Sequence, residues 1–175
     1  MSVIYRYFLI LAACTSLLVG IQIPSFVDQY EKRLDAHFIE AQNNLRGYRE
    51  IADKYHGGSI EALITKHEQS ADPTFREEAK PIKNIYQRYL RFSDQKRSLE
   101  SELVGKAAFI VMHGDEELIN ETYSNYSFTI PLTRLAVLSG FFTAALVVLV
   151  IELLRLLLSL FRFTGRSPRR AWNSL

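Results

Sequence analysis

The sequence predicts an all-α membrane protein in which two transmembrane helices flank an exported antiparallel helical hairpin or small helical bundle. Three observations predict this fold class: two long apolar runs, Phe8 to Ile23 and Leu135 to Ile151, a charged and helix-patterned segment between them, and basic residues at both chain ends. An α-helix rises about 1.5 Å per residue, so an apolar run of about 20 residues covers roughly 30 Å of hydrocarbon.

This reading divides the chain into five parts. They are a cytoplasmic N-terminus (residues 1–7), a first transmembrane helix (8–23), an exported domain (24–131), a second transmembrane helix (132–155) and a basic cytoplasmic tail (156–175).

Charge patterning predicts that both termini are cytoplasmic. Residues 24–131 carry 14 Lys or Arg against 18 Asp or Glu, a net charge of −4, whereas the two ends together carry 7 basic residues and only Glu152, a net charge of +6. Basic residues beside a span favour the cytoplasmic side of the membrane. The topology determinants are Arg6, Arg162, Arg166, Arg169 and Arg170. A basic tail beside a span is typical of contact with anionic lipid, so we expect the bilayer and no nucleic acid as partner.

The first transmembrane helix is expected to bend at Pro24 and to continue as a long amphipathic helix that stops at His56-Gly57-Gly58. Its apolar residues recur at alternating steps of 4 and 3, a pattern typical of a seam that packs on another helix. The residues of this predicted helix–helix seam are Leu34, Phe38, Ala41, Leu45, Tyr48, Ala52 and Tyr55.

A short helix is predicted from Ser59, as N-cap, to Gln69. A second long helix should follow Asp72-Pro73 and pair with the first, and its leucines extend as far as Gly105, where it is expected to end. Pro81 lies several residues inside this helix, so either the helix kinks there or it starts later than Asp72.

The rest of the exported segment is predicted in three pieces. Lys106 to Met112 is either a buried helix turn or an element lying on the membrane surface. Asp115 to Tyr123 is predicted to be a short helix, and Ser124 to Pro131 an extended segment. Periodicity does not decide between the two readings of the first piece.

The usual sequence signatures of enzymes are absent from the chain, so we expect no catalytic residues, no cofactor and no metal site, and we predict that the protein is not an enzyme. The alternative is a metal-dependent envelope enzyme built on His37, His56 and His67, which requires the three imidazoles to lie close together.

Three features of the apolar runs leave alternatives open. Leu11-Ala12-Ala13-Cys14 resembles a lipidation signal, although the sequence after Cys14 stays apolar, which favours an uncleaved span. Glu152 either pairs with Arg155 at the inner membrane interface or lies deeper and pairs with the first span. The small residues Gly20, Ser139 and Gly140 are expected to let the two helices approach closely.

Two stretches resemble a family of short two-span inner-membrane proteins of Gram-negative bacteria that is classed as a domain of unknown function. The first is IQIPSFVDQY, residues 21–30, followed by RLDAH (33–37) and EAQ (40–42). The second is YSNYSFTIPL, residues 123–132. The resemblance implies a bacterial inner-membrane location and supplies no activity or site.

The sequence therefore favours a non-catalytic, multi-pass protein of the bacterial inner (cell) membrane, which acts as a scaffold or accessory subunit of an envelope assembly. Its expected partner is another envelope protein or a second copy of itself. The alternative function is a periplasmic ligand-sensing module that lacks its own output domain.

Overall fold

The structure is a computed structural model that describes residues 3–126 and 133–164, with side chains described as far as Ser159. The described residues form helices, turns and loops and contain no strand, which confirms the all-α class. The helices are α1 (Val3–Tyr55), α2 (Ile60–Glu68), α3 (Pro73–Ser98), α4 (Leu103–His113), α5 (Glu116–Ser124) and α6 (Arg134–Thr164).

The chain divides into two compact units, which we describe separately. Unit 1 comprises residues 1–25 and 128–175, and unit 2 comprises residues 26–127. Two helices, α1 and α6, are long and apolar enough to cross a membrane.

Three helices of unit 2, α2, α3 and α5, begin at the residues that the sequence predicts. The side chain of Ser59 accepts a hydrogen bond from the Ala62 N–H (3.0 Å) and begins α2. Asp72 in the same way caps α3, and Asp115 caps α5. Each such side chain satisfies a helix N–H that has no intrahelical partner.

Glycine ends α1 as expected. Gly57 and Gly58 have φ angles of 59° and 85°, the left-handed region that side chains other than glycine rarely adopt. The Gly58 N–H donates to the carbonyl of Ala52 (3.0 Å), which closes the last turn and turns the chain towards α2.

The prediction for the end of α3 is wrong. The helix begins at Pro73 and continues through Pro81, so the later start is excluded, but it ends at Ser98. The N–H of Leu99 bonds the carbonyls of Gln95 and Lys96, so this buried leucine closes α3 rather than extending it. Gly105 lies inside α4. The prediction failed because the leucine pattern runs across two helices and does not reveal the break between them.

Two further predictions in this region have mixed outcomes. The Lys106 to Met112 segment lies within α4, and the reading as a buried turn is wrong because Ile110 is the one buried residue of this helix. The short helix at Asp115 is confirmed as α5. Ser124 is helical rather than extended, and residues 127–132 lie outside the described residues.

The core of unit 2 forms where α1, α2 and α3 contact each other. Buried side chains from all three helices meet in one cluster, namely Leu45, Ala52, Ile60, Leu63, Ile64 and Ile82. The first half of the part of α1 that belongs to unit 2 contacts late residues of α3: the Tyr30 hydroxyl donates to Gln95 (3.0 Å), and the rings of Phe38 and Tyr89 stack with centroids 5.5 Å apart.

Unit 1 contains the first part of α1 and the helix α6. Gly20 and Gly140 are buried where the two helices approach, and the Ser139 hydroxyl donates to the Gly20 carbonyl (2.6 Å). A Cβ on Gly140 would lie 2.6 Å from Cγ1 of Ile21, so a larger residue does not fit. The predicted close approach at these small residues is confirmed.

Candidate functional site

The predicted seam residues of α1 differ in burial. Leu34, Ala41, Leu45 and Ala52 are buried, and Phe38 and Tyr48 are half-buried. Tyr55 departs from the pattern with 66% of its surface exposed. It is the last residue of α1, and its ring is covered by the Lys54 ammonium at 5.0 Å rather than by a second helix.

The topology determinants lie mostly beyond the described part of the chain. Arg6 is exposed in the first turns of α1. Arg162 belongs to α6, but its side chain is outside the described set, and Arg166, Arg169 and Arg170 are outside the described residues altogether. Cytoplasmic placement of both ends stays a prediction.

A fully buried tyrosine joins three segments of unit 2. The Tyr30 hydroxyl of α1 donates to Oε1 of Gln95 in α3 (3.0 Å) and accepts from the backbone N–H of Asp115 (2.9 Å). The side-chain amide of Gln95 in turn donates to the carbonyl of His113 (3.0 Å). Burial raises the pKa of the Tyr30 phenol, so the hydroxyl keeps its proton at neutral pH. This network fixes the loop between α4 and α5 to the two long helices.

A charged cluster joins α5 to α1 beside this network. Glu121 Oε1 accepts from Nη1 of Arg33 (3.0 Å), and its Oε2 lies 2.7 Å from Nε2 of His37. The hydrogen bond from His37 holds the pKa of the Glu121 carboxyl below its usual value, and Arg33 acts in the same direction. His37 also lies against Phe92, with ring centroids 5.5 Å apart.

An open groove of about 290 Å³ lies next to this cluster. Its lining residues are Gln29, Lys32, Arg33, Ala36, His37 and Glu121. Within the described part of the chain, Nε of Arg33 and Nδ1 of His37 are buried and make no hydrogen bond. Nδ1 of His37 lies 3.8 Å from Glu40, too far for one.

The chemistry of this cluster favours a structural role. Both carboxylate oxygens of Glu121 are occupied by neighbouring side chains, so the group is not free to take a proton from a substrate. Among the described residues, no serine, threonine or cysteine lines the groove to supply an activated nucleophile. The cluster pins α5 to α1 by charge-assisted hydrogen bonds.

The three histidines of the metal-enzyme hypothesis have separate surroundings. His37 contacts Glu121, whereas Nδ1 of His67 lies 2.9 Å from the carbonyl of Leu63 in its own helix. Across residues 3–126 and 133–164 no group of three His, Cys, Asp or Glu side chains is placed to hold a metal ion. The hypothesis therefore has no ligand cluster on which to rest in that part of the chain.

Three tyrosines of the long helices α1 and α3 pack against the core. Tyr48, Tyr86 and Tyr89 contact the apolar cluster, and none of them lines the groove. The Tyr86 hydroxyl donates to Glu61, which lowers the pKa of Glu61 and raises that of Tyr86.

In unit 1 the Glu152 carboxylate contacts Arg155 and Tyr5, and Tyr5 lies in the predicted N-terminus (residues 1–7) rather than in the predicted first span (8–23). Its Oε2 is 3.3 Å from Nη1 of Arg155, and its Oε1 accepts from the Tyr5 hydroxyl of α1 (3.0 Å). The Arg155 guanidinium also lies 4.6 Å from the centre of the Tyr5 ring.

Sequence reasoning missed Tyr30, Arg33 and Glu121 as organising residues. Arg33 and His37 are four apart and share a helix face, which is a local signal. Glu121 is 88 residues from Arg33, and no periodicity in either segment indicates that pairing.

The comparison with protein families gives a match over nearly the whole chain. A family model described as a protein of unknown function, DUF2937, matches residues 4–164. The chain belongs to this family. The DUF2937 match includes all of α2 to α6, α1 apart from its first residue, and both stretches that carry the resemblance, which confirms the expectation of an uncharacterised family. No curated protein and no solved structure matches the chain.

Proposed function

We propose that this DUF2937 protein crosses the bacterial inner membrane twice, with both termini in the cytoplasm and unit 2 exported. The support is the surface of the two apolar helices. Leu11 of α1 is 68% exposed, and Leu138 and Phe142 of α6 are 66% and 67% exposed. A soluble helix would bury such residues, whereas a bilayer covers them.

We infer further that unit 2 is a non-catalytic helical hairpin or small bundle that serves as a scaffold or accessory subunit of an envelope assembly. One observation carries this inference: the side chains buried where α1, α2 and α3 meet form a closed apolar cluster. Leu45, Ala52 and Ile82 are each fully buried in the same apolar cluster, and three tyrosines close its edge. A helix pair packed in this way offers its outer surface to a partner rather than an internal site to a small molecule.

The outer face of α1 supplies such a surface. Ile39, Asn43, Arg46 and Glu50 follow one another at steps of 4, 3 and 4, so they share one side of the helix, and all four are exposed. Ile39 is 53% exposed, an apolar contact point on an otherwise polar stripe. A stripe with one apolar contact suits a partner that binds from the periplasm without forming an obligate core.

In-cell photocrosslinking tests the proposal. A photoreactive residue replaces Ile39 or Arg46 on the outer face of α1, and mass spectrometry identifies the captured species. The matched control is Lys66, an exposed residue of α2 on another part of unit 2. We expect one dominant envelope protein from both α1 positions and a weaker signal from Lys66. Only self-crosslinks, or none, would contradict the accessory-subunit proposal.

A ligand-sensing module is the second candidate, and the groove favours it. Lys32 and Arg33 present cationic groups there, which suits a small anion. Glu121 already pairs with Arg33 and contacts His37, which is why this candidate ranks below the scaffold. If no partner were crosslinked, and if the protein bound a small anion and Arg33→Gln abolished that binding, the ligand-sensing module would rank above the scaffold.

A further inference from the structure

The helix α4 carries an exposed side that is entirely apolar or small. At 100° per residue, five residues fall on one arc of about 120°. These residues are Val104, Gly105, Ala108, Val111 and Met112, and all of them are exposed. Val104, Met112 and Val111 are 74%, 73% and 85% exposed, the last being the most exposed large apolar side chain of the described residues.

The opposite side of α4 holds the helix in unit 2. Ile110 is 3% exposed, and the Lys106 ammonium pairs with Glu31 of α1 at 2.6 Å. The one charged side chain within α4 is therefore directed to a partner in the domain, and the exposed arc carries no charge. Exposing such an arc to water is unfavourable, so something is expected to cover it.

The position of α4 within unit 2 indicates what covers it. The two ends of unit 2 lie together, because the rings of Phe26 and Tyr126 have centroids 5.8 Å apart. α4 contacts Glu31, which is five residues after Phe26, so it lies near the end at which the chain enters the unit. Phe26 is three residues after Ile23, the last residue of the first apolar run, and three residues span at most about 10 Å.

We propose that α4 lies in the interface of the inner membrane, with Val104, Val111 and Met112 inserted at the boundary between the lipid headgroups and the acyl chains. This inference rests on the proposed two-span topology. The occupant is the bilayer, because the covalent connection keeps this end of unit 2 close to the membrane surface. Interfacial helices bury an apolar face about 5–10 Å deep in this boundary.

The composition of the arc favours lipid over a protein partner. The few residues that dominate binding at protein interfaces are most often Trp, Tyr or Arg. The exposed arc of α4 contains none of these, and consists of aliphatic residues, one methionine and one glycine. Such side chains gain from transfer into hydrocarbon without needing a complementary surface.

Quenching of tryptophan fluorescence by brominated lipids tests the proposal. The full chain is reconstituted in bilayers after Trp172→Phe, which removes its single tryptophan. One tryptophan is then placed at Val111 or, independently, at Val104; both positions are exposed and accept it without repacking. Asn43→Trp on the outer face of α1 is the water-exposed control, since Asn43 lies about 25 Å along the helix from Phe26. Leu146→Trp in α6 is the membrane control.

The four positions separate failure of this inference from failure of the topology. We expect quenching at residues 104 and 111 of at least half that at residue 146, and little quenching at 43. Quenching at 146 without quenching at 104 and 111 would overturn the interfacial placement alone. Absence of quenching at 146 as well would overturn the two-span proposal.

A cysteine experiment tests the competing occupant, a second copy of the chain. Cys14 is the one cysteine of the sequence, so Cys14→Ser with Val111→Cys leaves a single thiol on the exposed arc. We expect the reconstituted protein to stay monomeric under oxidation, because lipid separates the arcs. Efficient disulfide dimers through residue 111 would overturn the proposal in favour of an interface between copies.

Discussion

Replacing Tyr30 by phenylalanine removes one oxygen atom from the network that joins α1, α3 and the α4–α5 loop. The hydroxyl is an acceptor for the Asp115 N–H and a donor to Gln95, and the tyrosine is fully buried. The phenylalanine ring fills the same space, so apolar burial is retained and no large cavity forms. The substitution therefore isolates the two hydrogen bonds.

The expected cost follows from the groups left behind. Leaving a buried donor or acceptor without a partner costs about 1–3 kcal/mol of unfolding free energy. The Asp115 N–H belongs to the N-cap residue of α5, so its release should loosen the start of that helix before the rest of unit 2. We expect Tyr30→Phe to destabilise the protein by about 1–3 kcal/mol by this reasoning.

Thermal unfolding of the full chain in detergent micelles measures the total loss of stability, and hydrogen exchange with mass spectrometry locates it. Tyr55→Phe is the matched control, because Tyr55 is 66% exposed and should change stability by less than about 0.5 kcal/mol. Faster exchange in residues 113–118 of the Tyr30 variant, but not of the control, supports the reasoning. Equal stability of both variants, or uniform loss of protection across unit 2, would refute it.

Three other substitutions have defined expectations. Gly140→Ala should destabilise the α1–α6 contact by about 1–3 kcal/mol through overpacking. The control is Gly47→Ala, where a Cβ meets nothing within 4 Å, and this change should be neutral or stabilising. Equal melting temperatures of the two variants would contradict the close approach of the helices at Gly140. Ser59→Ala removes the N-cap of α2 and should cost about 1 kcal/mol in the same assay, and an unchanged melting temperature would show that the cap contributes nothing. Glu121 has a lowered folded-state pKa, so its stabilising effect is present above the ordinary glutamate pKa of about 4.3 and is lost as pH falls through the lower folded value. The Glu121→Gln variant should therefore be less stable than the unsubstituted chain at pH 7, and it should lose less stability on acidification. If the stability of the two proteins depended on pH in the same way, this would contradict a stabilising contact of the Glu121 carboxylate with Arg33 and His37.

Local signals in the sequence predicted much of unit 2. Ser59, Asp72 and Asp115 were identifiable as helix starts, because a side chain that accepts from the first turn acts through residues two or three positions away. The glycine pair after α1 was identifiable for a similar reason, since a left-handed backbone is a property of one or two residues. The approach of Gly20 and Gly140 was also predictable, because small residues in two apolar runs have few other uses.

Pairings between distant segments were not predictable from one sequence. Arg33 and Glu121 meet only because α5 packs on α1, and the hydroxyl of Tyr30 gives no pattern that indicates a loop 85 residues later. The end of α3 was not predicted because an apolar residue at position 99 fits two structures, the apolar side of a longer helix or a buried residue that caps a shorter one. Burial of Leu99 is common to both, so hydrophobicity alone does not separate them.

The topology of the chain is tested most directly by labelling single cysteines in spheroplasts with a membrane-impermeant maleimide. In a Cys14→Ser background, one cysteine replaces Arg46 in unit 2 and another, in a separate variant, replaces Ser174 at the C-terminus. The proposed topology predicts labelling at residue 46 in intact spheroplasts and at residue 174 only after permeabilisation. Labelling at 174 but not at 46 in intact spheroplasts would contradict an exported unit 2 with cytoplasmic termini, and with it the function proposed for this protein.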